Sequence, residues 1–438
     1  MMAQTPPASQ QVSRMVLGMP IALIWGYIAM AIFMTGDGIE LAYLSRHLVD
    51  AGYTEKQVSL VFTLYAFCAA VSSWLSGGIS EIYGPKRVML TGVVWWMVLH
   101  TVFVTLGIAE NNYSMILFSY SLRGFAYPLF FYGFYVLVVQ RTPENRLASA
   151  TGWIWSMFTI GYGIVATFLS GITVPHFGFI TTLWLSLGFA AVGGVITLFA
   201  VKSSVREGGV KRASRSEKLR EVSRGITLIF EDRSMFLALI IRILCNLSLF
   251  GLPVFMPIFF TRELGYSTEQ WATIWGVFFL VQPFTNVIWG IIGDRIGWLF
   301  QMRWFGFFGC TLTTSAFYFL PSMFPGNMVI AVVCSLLLAL TLTSFVPMGA
   351  IFPMLAPQHK GAAVSVQNLG GGIGNLIGPA VAALLFSLSL DIKHVIVTFS
   401  LLYLTGGILT FFIRNPQPAR HDNEPAQLEP SLTTKGTS

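Results

Sequence analysis

Four ionisable side chains, Asp37, Glu40, Arg123 and Arg242, lie inside runs of sequence that are otherwise apolar. A charge at the centre of a bilayer costs about 2.5–3.5 kcal/mol even on lenient scales, so each needs a partner or a task. Asp37 and Glu40 belong to Thr35-Gly36-Asp37-Gly38-Ile39-Glu40, and Arg123 to Leu122-Arg123-Gly124-Phe125-Ala126-Tyr127-Pro128. An acid beside an arginine can exchange a proton. The guanidinium favours the carboxylate, and desolvation on closure favours the acid. Asp37 is the expected proton carrier beside Arg123, with Glu40 the alternative; a purely structural ion pair is the plainer reading of the same residues. Arg242 stands four residues before Asn246, and two tasks stay open for it: an anionic substrate or a backbone carbonyl of its own half. His100 reads as a packed residue rather than a proton relay.

Placing these groups requires membrane-spanning helices. At a rise of about 1.5 Å per residue, Asp37 lies roughly 7 Å and Arg123 roughly 4–5 Å outside the midplane. Glu40 follows one turn above Asp37 on nearly the same helix face. Near mid-depth the polar residues are Tyr65, Tyr127, Tyr132, Trp155, Tyr162, Asn246, Gln282, Asn286, Gln367, Asn368 and Asn375. Amides and phenols both donate and accept, which suits a neutral solute with many hydroxyls. Each amide has a plainer use, since interhelical bonds in membranes are worth about 0.6–2 kcal/mol. The run Gly370-Gly371-Gly372-Ile373-Gly374 is a close-packing site and not a phosphate loop, because no strand precedes it.

Composition requires the membrane. The chain is 55% hydrophobic and only 10% charged, against about 25% charged in soluble domains. The formal charge of +7 does not indicate nucleic acid, because the basic residues cluster between apolar runs. Twelve spans are expected, near 21–44, 57–79, 88–108, 113–139, 148–171, 180–201, 235–260, 270–292, 302–320, 327–354, 363–387 and 394–414. They form an all-α membrane protein: a tail (1–20), a six-helix bundle (21–201), a linker (202–234), a second six-helix bundle (235–414) and a disordered tail (415–438). The linker pattern suggests a surface helix. The first apolar run is too long and too acidic for a cleaved signal. Lysine and arginine placement puts both termini and the linker in the cytoplasm. The cysteines, Cys68, Cys245, Cys310 and Cys334, form no CxxC pair and read as buried free thiols.

The chain repeats itself. Gly77-Gly78-Ile79-Ser80-Glu81-Ile82-Tyr83-Gly84 and Gly290-Ile291-Ile292-Gly293-Asp294-Arg295-Ile296-Gly297 share a glycine–acid–glycine pattern at half-chain separation. Thr142-Pro143-Glu144-Asn145-Arg146 and Ala356-Pro357-Gln358-His359-Lys360 repeat at nearly the same offset. Twelve spans in two related halves, with this signature after spans two and eight, resemble the major facilitator superfamily. The resemblance implies two pseudo-symmetric bundles and a gating role for Gly77, Glu81, Gly84, Lys86, Arg87, Gly290, Asp294, Arg295 and Gly297. Each acid would meet a helix N-terminus and nearby cations. Glu81 replaces the usual aspartate, and no basic residue directly follows Gly297, so the second gate is expected to be weaker.

A narrower resemblance rests on Gly36-Asp37-Gly38-Ile39-Glu40, Trp74-Leu75-Ser76-Gly77, Tyr83-Gly84-Pro85-Lys86 and Leu122-Arg123-Gly124-Phe125-Ala126-Tyr127-Pro128-Leu129-Phe130. These stretches are similar to the polyol permease family, which contains bacterial ribitol and D-arabinitol proton symporters. It implies a monomeric inner-membrane carrier of a small solute, surrounded by lipid, with Asp37, Glu40 and Arg123 coupling the proton. Tyr65, Tyr127, Tyr132, Trp155, Arg242, Asn246, Gln282, Asn286, Gln367 and Asn368 would line the substrate site. The proton is the only coupling ion expected; no cofactor, metal or nucleic-acid partner is. Some members are assigned 2-oxoglutarate, so a carboxylate is the runner-up substrate. The antiporter Gly-Pro pair of span five is absent from Gly161-Tyr162-Gly163, which leans against drug efflux. No enzymatic constellation is visible.

Overall fold

The computed structural model describes residues 15–41, 43–202 and 224–418. Among them, eleven helices are long and apolar enough to cross a membrane. They are α1 (Ile21–Gly38), α2 (Glu55–Tyr83), α3 (Pro85–Ile108), α4 (Tyr113–Arg141), α5 (Glu144–Phe177), α6 (Phe179–Phe199), α7 (Arg233–Glu263), α8 (Thr268–Ile296), α10 (Met328–Leu355), α11 (Pro357–Ser387) and α12 (Ile392–Phe412). Residues 298–323 form a further continuous helical segment, α9, at the position expected for the ninth span. Arg303, Thr311, Thr313, Thr314 and Ser315 make it more polar than the others.

The helix ends show the duplication in physical form. α2 opens on a capping box of Thr54 with Gln57, and α8 opens on the equivalent box of Ser267 with Gln270. Such caps satisfy two otherwise orphaned N–H groups. Asn112 and Asn327 cap α4 and α10 in the same matched way. α2 and α8 end at Gly84 and Gly297, whose φ values of 89° and 110° would strain a side-chain-bearing residue. The last glycine of each signature therefore stops its helix.

Three helices are interrupted, and the interruptions carry polar chemistry. α4 breaks after Arg123 and resumes at Ala126; α7 breaks after Leu244 and resumes at Leu247; α10 breaks after Thr343 and resumes at Met348. Backbone groups freed within a bilayer must be satisfied by protein. Trp95 donates to the Leu122 carbonyl at 2.9 Å and Ser72 to that of Phe125 at 2.7 Å. The Ser248 N–H reaches the Tyr403 hydroxyl at 2.9 Å, and Gln301 donates to Ser344 at 2.9 Å.

Each half has its own buried core, and large apolar side chains such as Phe168 and Phe199 face outward, 74% and 79% exposed. The hydrogen bonds joining the halves lie at the end bearing the signatures. Gly78 donates to Ser365 at 3.2 Å, and Lys360 pairs with Glu144 at 3.5 Å. Here α2 crosses α11 so closely that a Cβ on Gly77 would collide with the Gly361 carbonyl and the Ser365 hydroxyl.

The expected linker and tails are only partly within the described residues. Residues 224–231 are helical, with Leu228 and Ile229 buried against the second core; 203–223 lie outside the described residues. The supposed N-terminal tail contains a small hairpin, β1 (Met15–Val16) paired with β2 (Met19–Pro20), and Trp153 donates to its Leu17 carbonyl at 3.0 Å. At the other end, Gln417 accepts from the Trp298 N–H at 2.8 Å; 419–438, where most of the expected tail falls, lie outside the described residues.

The Gly77 crossing yields a measurable expectation. Gly77→Val should lower stability by about 1–3 kcal/mol through overpacking, read as a drop in Tm of the purified protein. Gly188→Ala meets open space and should leave Tm unchanged. Equal effects of the two substitutions would show that the crossing is not tight.

Candidate functional site

The first half concentrates its buried charge where α1 ends and α4 breaks. α1 stops at Gly38, and Leu41 turns back to the Gly38 carbonyl at 3.1 Å. Glu40 lies in that turn, just past the end of the helix that carries Asp37. Its carboxylate receives Arg123 in a two-pronged ion pair: Nη1 to Oε2 at 3.0 Å, and Nη2 to Oε1. Arg123 is 0% exposed and Glu40 is 2% exposed. This corrects the expected Asp37–Arg123 pair: the helix end frees Glu40, and its extra methylene carries it to the guanidinium. Bidentate carboxylate–guanidinium pairs are strong and geometrically specific.

Asp37 is held differently. The Trp96 indole N–H donates to its Oδ1 at 2.6 Å, while Oδ2 is buried without a hydrogen-bond partner. Arg123 Nε is likewise unpartnered. The guanidinium also stands 4.7 Å from the Tyr120 ring centroid and 5.1 Å from that of Trp96.

His100 does more than fill space. Its Nδ1 lies 2.5 Å from Arg123 Nη1, and a guanidinium can only donate, so Nδ1 is an acceptor. The ring proton then sits on Nε2, 2.9 Å from the Leu183 carbonyl of α6. The imidazole also stacks on Trp96 at 4.3 Å. A neutral histidine thus orients the arginine, a role the sequence reading missed. The four-residue spacing of Trp96 and His100 on α3 was the available signal.

The second half holds its cation without an acid. Arg242, at the α7 break, donates to Asn246 Oδ1 at 3.0 Å. Asn246 Nδ2 in turn reaches the Gly371 carbonyl at 3.3 Å and Asn375 Oδ1 at 2.7 Å. Of the two tasks left open for Arg242, the carbonyl is taken by Asn246 instead. The glycine run gives the guanidinium its space: side chains at Gly370 and Gly371 would come within 3.0 Å of Arg242 atoms. Among the described residues no carboxylate forms an ion pair with Arg242, and its Nε is buried without a partner.

The residues expected to line the site divide into two groups. Gln367 donates to the Tyr135 hydroxyl at 3.2 Å and Asn368 to the Ser73 carbonyl at 2.9 Å, both across the halves. Asn286 is buried, with its backbone carbonyl against Gly152. The Gln367 and Asn368 amides join the bundles in this conformation rather than facing an open site. Tyr65, Tyr127, Tyr132, Trp155, Tyr162, Gln282, Arg242 and Asn246 stay half-buried, and Asn375 is exposed. Tyr65 stacks with Tyr127 at 6.4 Å between ring centroids.

Both signature acids reach across the halves to helix N-termini. Glu81 accepts from the Gly361 N–H at the start of α11. Asp294 accepts from the N–H groups of Ala148 and Ser149 at 3.1 and 2.9 Å, from the Ser149 hydroxyl, and from the Trp298 indole at 2.9 Å. Trp298 directly follows Gly297, and its neutral N–H supplies the donor that a basic residue would have supplied. Lys86 donates to the Leu198 carbonyl at 2.8 Å, and Arg87 and Arg295 are exposed.

The model of the Major Facilitator Superfamily matches residues 15–356 and 307–436. The chain is 42% identical to the D-arabinitol transporter of Klebsiella pneumoniae, over 92% of this chain and 94% of the relative. It is also 42% identical to the ribitol transporter of the same organism, over the same shares of the two chains. Identity to the alpha-ketoglutarate permease of Bacillus subtilis (strain 168) is 36%, over 91% of this chain and 90% of that one. Among solved structures, the human organic anion transporter MFSD10 (TETRAN) superposes with a TM-score of 0.73 at 15% identity, covering 93% of this chain and 100% of that one. That likeness concerns the fold alone.

The Glu40–Arg123 pair predicts unequal costs for the two acids. Glu40→Gln leaves a buried guanidinium without its counter-charge and should cost about 3–5 kcal/mol, seen as a large fall in Tm. Asp37→Asn keeps an acceptor for Trp96 and should cost less than half of that. Equal losses in the two variants would place the arginine on Asp37 after all.

Proposed function

This chain belongs to the Major Facilitator Superfamily, and we propose that it imports a five-carbon sugar alcohol, ribitol or D-arabinitol, together with a proton. Being a multi-pass transporter of a small molecule follows from the family; the substrate and the coupling are our reading. The names of the two 42% identical relatives support the substrate class. The half-buried phenols and amides support it chemically, since hydroxyls need both donors and acceptors.

The observation that carries the coupling is the Asp37 oxygen buried without a donor beside a self-neutralising Glu40–Arg123 pair. Glu40 and Arg123 cancel. An ionised Asp37 would then leave the first half with a buried charge that has no ion-pair partner of its own, which is costly. A protonated Asp37 removes it. Asp37 is therefore the coupling acid, Glu40 the fixed counter-charge, and His100 the group that keeps Arg123 turned toward Glu40.

Transport proceeds by alternating access, with the halves rocking about the site between them. The contacts of Glu81 with α11 and of Asp294 with α5 close the cytoplasmic end and are broken as the carrier opens inward. The protein sits as a monomer in the bacterial inner membrane; its lysine and arginine placement supports cytoplasmic termini. A second reading, transport of a carboxylate, is favoured by Arg242, which has no acid partner among the described residues. The alpha-ketoglutarate permease relative fits it.

In proteoliposomes, labelled ribitol or D-arabinitol should enter electrogenically, one positive charge accompanying each neutral molecule. Asp37→Asn should abolish accumulation against a gradient while preserving exchange of internal for external substrate. An Asp37→Asn carrier that still concentrates its solute would remove Asp37 from the coupling role.

A further inference from the structure

We infer that Arg242 gives this carrier a second substrate class: five-carbon sugar acids, in which one terminal carbon of the sugar alcohol is a carboxylate. The inference rests on the proposed polyol site and extends its chemistry. Arg242 is half-buried at the α7 break, has no acid partner among the described residues, and keeps a buried Nε without an acceptor. A guanidinium with one buried, unpartnered N–H and no acid is an incomplete ion pair, and a carboxylate completes it with two parallel hydrogen bonds.

The surroundings place that pair between the halves. Asn368, Gly372 and Asn375 share one face of α11. Asn368 bonds the first half at Ser73, and Gly372 stands against Ala70. Asn375 follows one turn farther on, exposed, in the chain that runs from Arg242 through Asn246. A ligand between the bundles meets the cation and the amides together. One cation accommodates one carboxylate; Arg123 is already occupied by Glu40. The remaining partners are phenols and amides, which suit hydroxyls. A hydroxylated monocarboxylate fits this set better than a dicarboxylate.

Charge balance gives the inference a distinctive signature. With both acids ionised, Asp37, Glu40, Arg123 and Arg242 sum to neutrality. When Asp37 takes a proton, one positive charge remains on Arg242. A sugar alcohol leaves that charge uncompensated, so its uptake carries current. A sugar-acid anion compensates it, so the anion and the proton cross together without net charge.

The test uses purified full-length protein in proteoliposomes, with ribitol and D-ribonate as probes. D-Ribonate should compete with labelled ribitol and should itself be taken up down a proton gradient. Ribitol should produce an inward current, and D-ribonate should acidify the lumen without one. Arg242→Gln should weaken D-ribonate about tenfold to a hundredfold, the worth of a charge-assisted bond, and ribitol far less; Arg242→Lys should restore part of the loss. Ribitol uptake with no competition or uptake of D-ribonate overturns the inference while leaving the polyol reading intact, as does equal loss of both substrates in Arg242→Gln. Absence of ribitol uptake defeats the polyol reading, and direct D-ribonate uptake then decides the inference alone.

Discussion

A guanidinium with no exposure to solvent cannot stay charged in a bilayer unless its counter-charge is built in. Arg123 finds that counter-charge in Glu40, and the first bundle is arranged around the pair. α1 must end at Gly38 for Glu40 to turn toward it, and α4 must break just after Arg123. α3 contributes His100 beneath the guanidinium and Trp96 beside it, while α6 supplies the carbonyl that sets the histidine tautomer. Four helices thus converge on one ion pair. Its neutrality is what makes the neighbouring Asp37 chemically available.

The two halves use the same architecture for different electrostatics. α4, α7 and α10 are all interrupted, and the interruptions in α4 and α7 hold the buried Arg123 and the half-buried Arg242. In the first half the cation is paired; in the second it is left open. The two arginines are not copies of one position: α4 repeats as α10 and α7 as α1, so each half placed its cation on a different helix. The consequence is a site with an acid on one side and a free cation on the other.

At the Asp294 contact between the halves, neutral donors stand where the repeat pattern called for a cation. Asp294 is held by two backbone N–H groups, a hydroxyl and an indole, so its stability needs no adjacent lysine or arginine. Helix N-termini already present partial positive charge. A carboxylate aimed at one is satisfied by geometry, and the Trp298 indole completes the set.

Much of this was legible along the chain. Apolar runs of spanning length, the repeated glycine–acid–glycine pattern and the placement of basic residues specify twelve helices in two related halves, because each obeys a local rule of length, period or charge. The identity of the buried ionisable residues was legible for the same reason: a charge in an apolar run stands out by itself. Which acid meets Arg123 was not, since it depends on where α1 stops, and spacing assumed a continuous helix through Glu40. Nor could spacing separate Gln367 and Asn368, which tie the bundles together, from Asn246 and Asn375, which face the space between them. Those assignments depend on contacts between residues distant in sequence, and only the packed structure sets such distances.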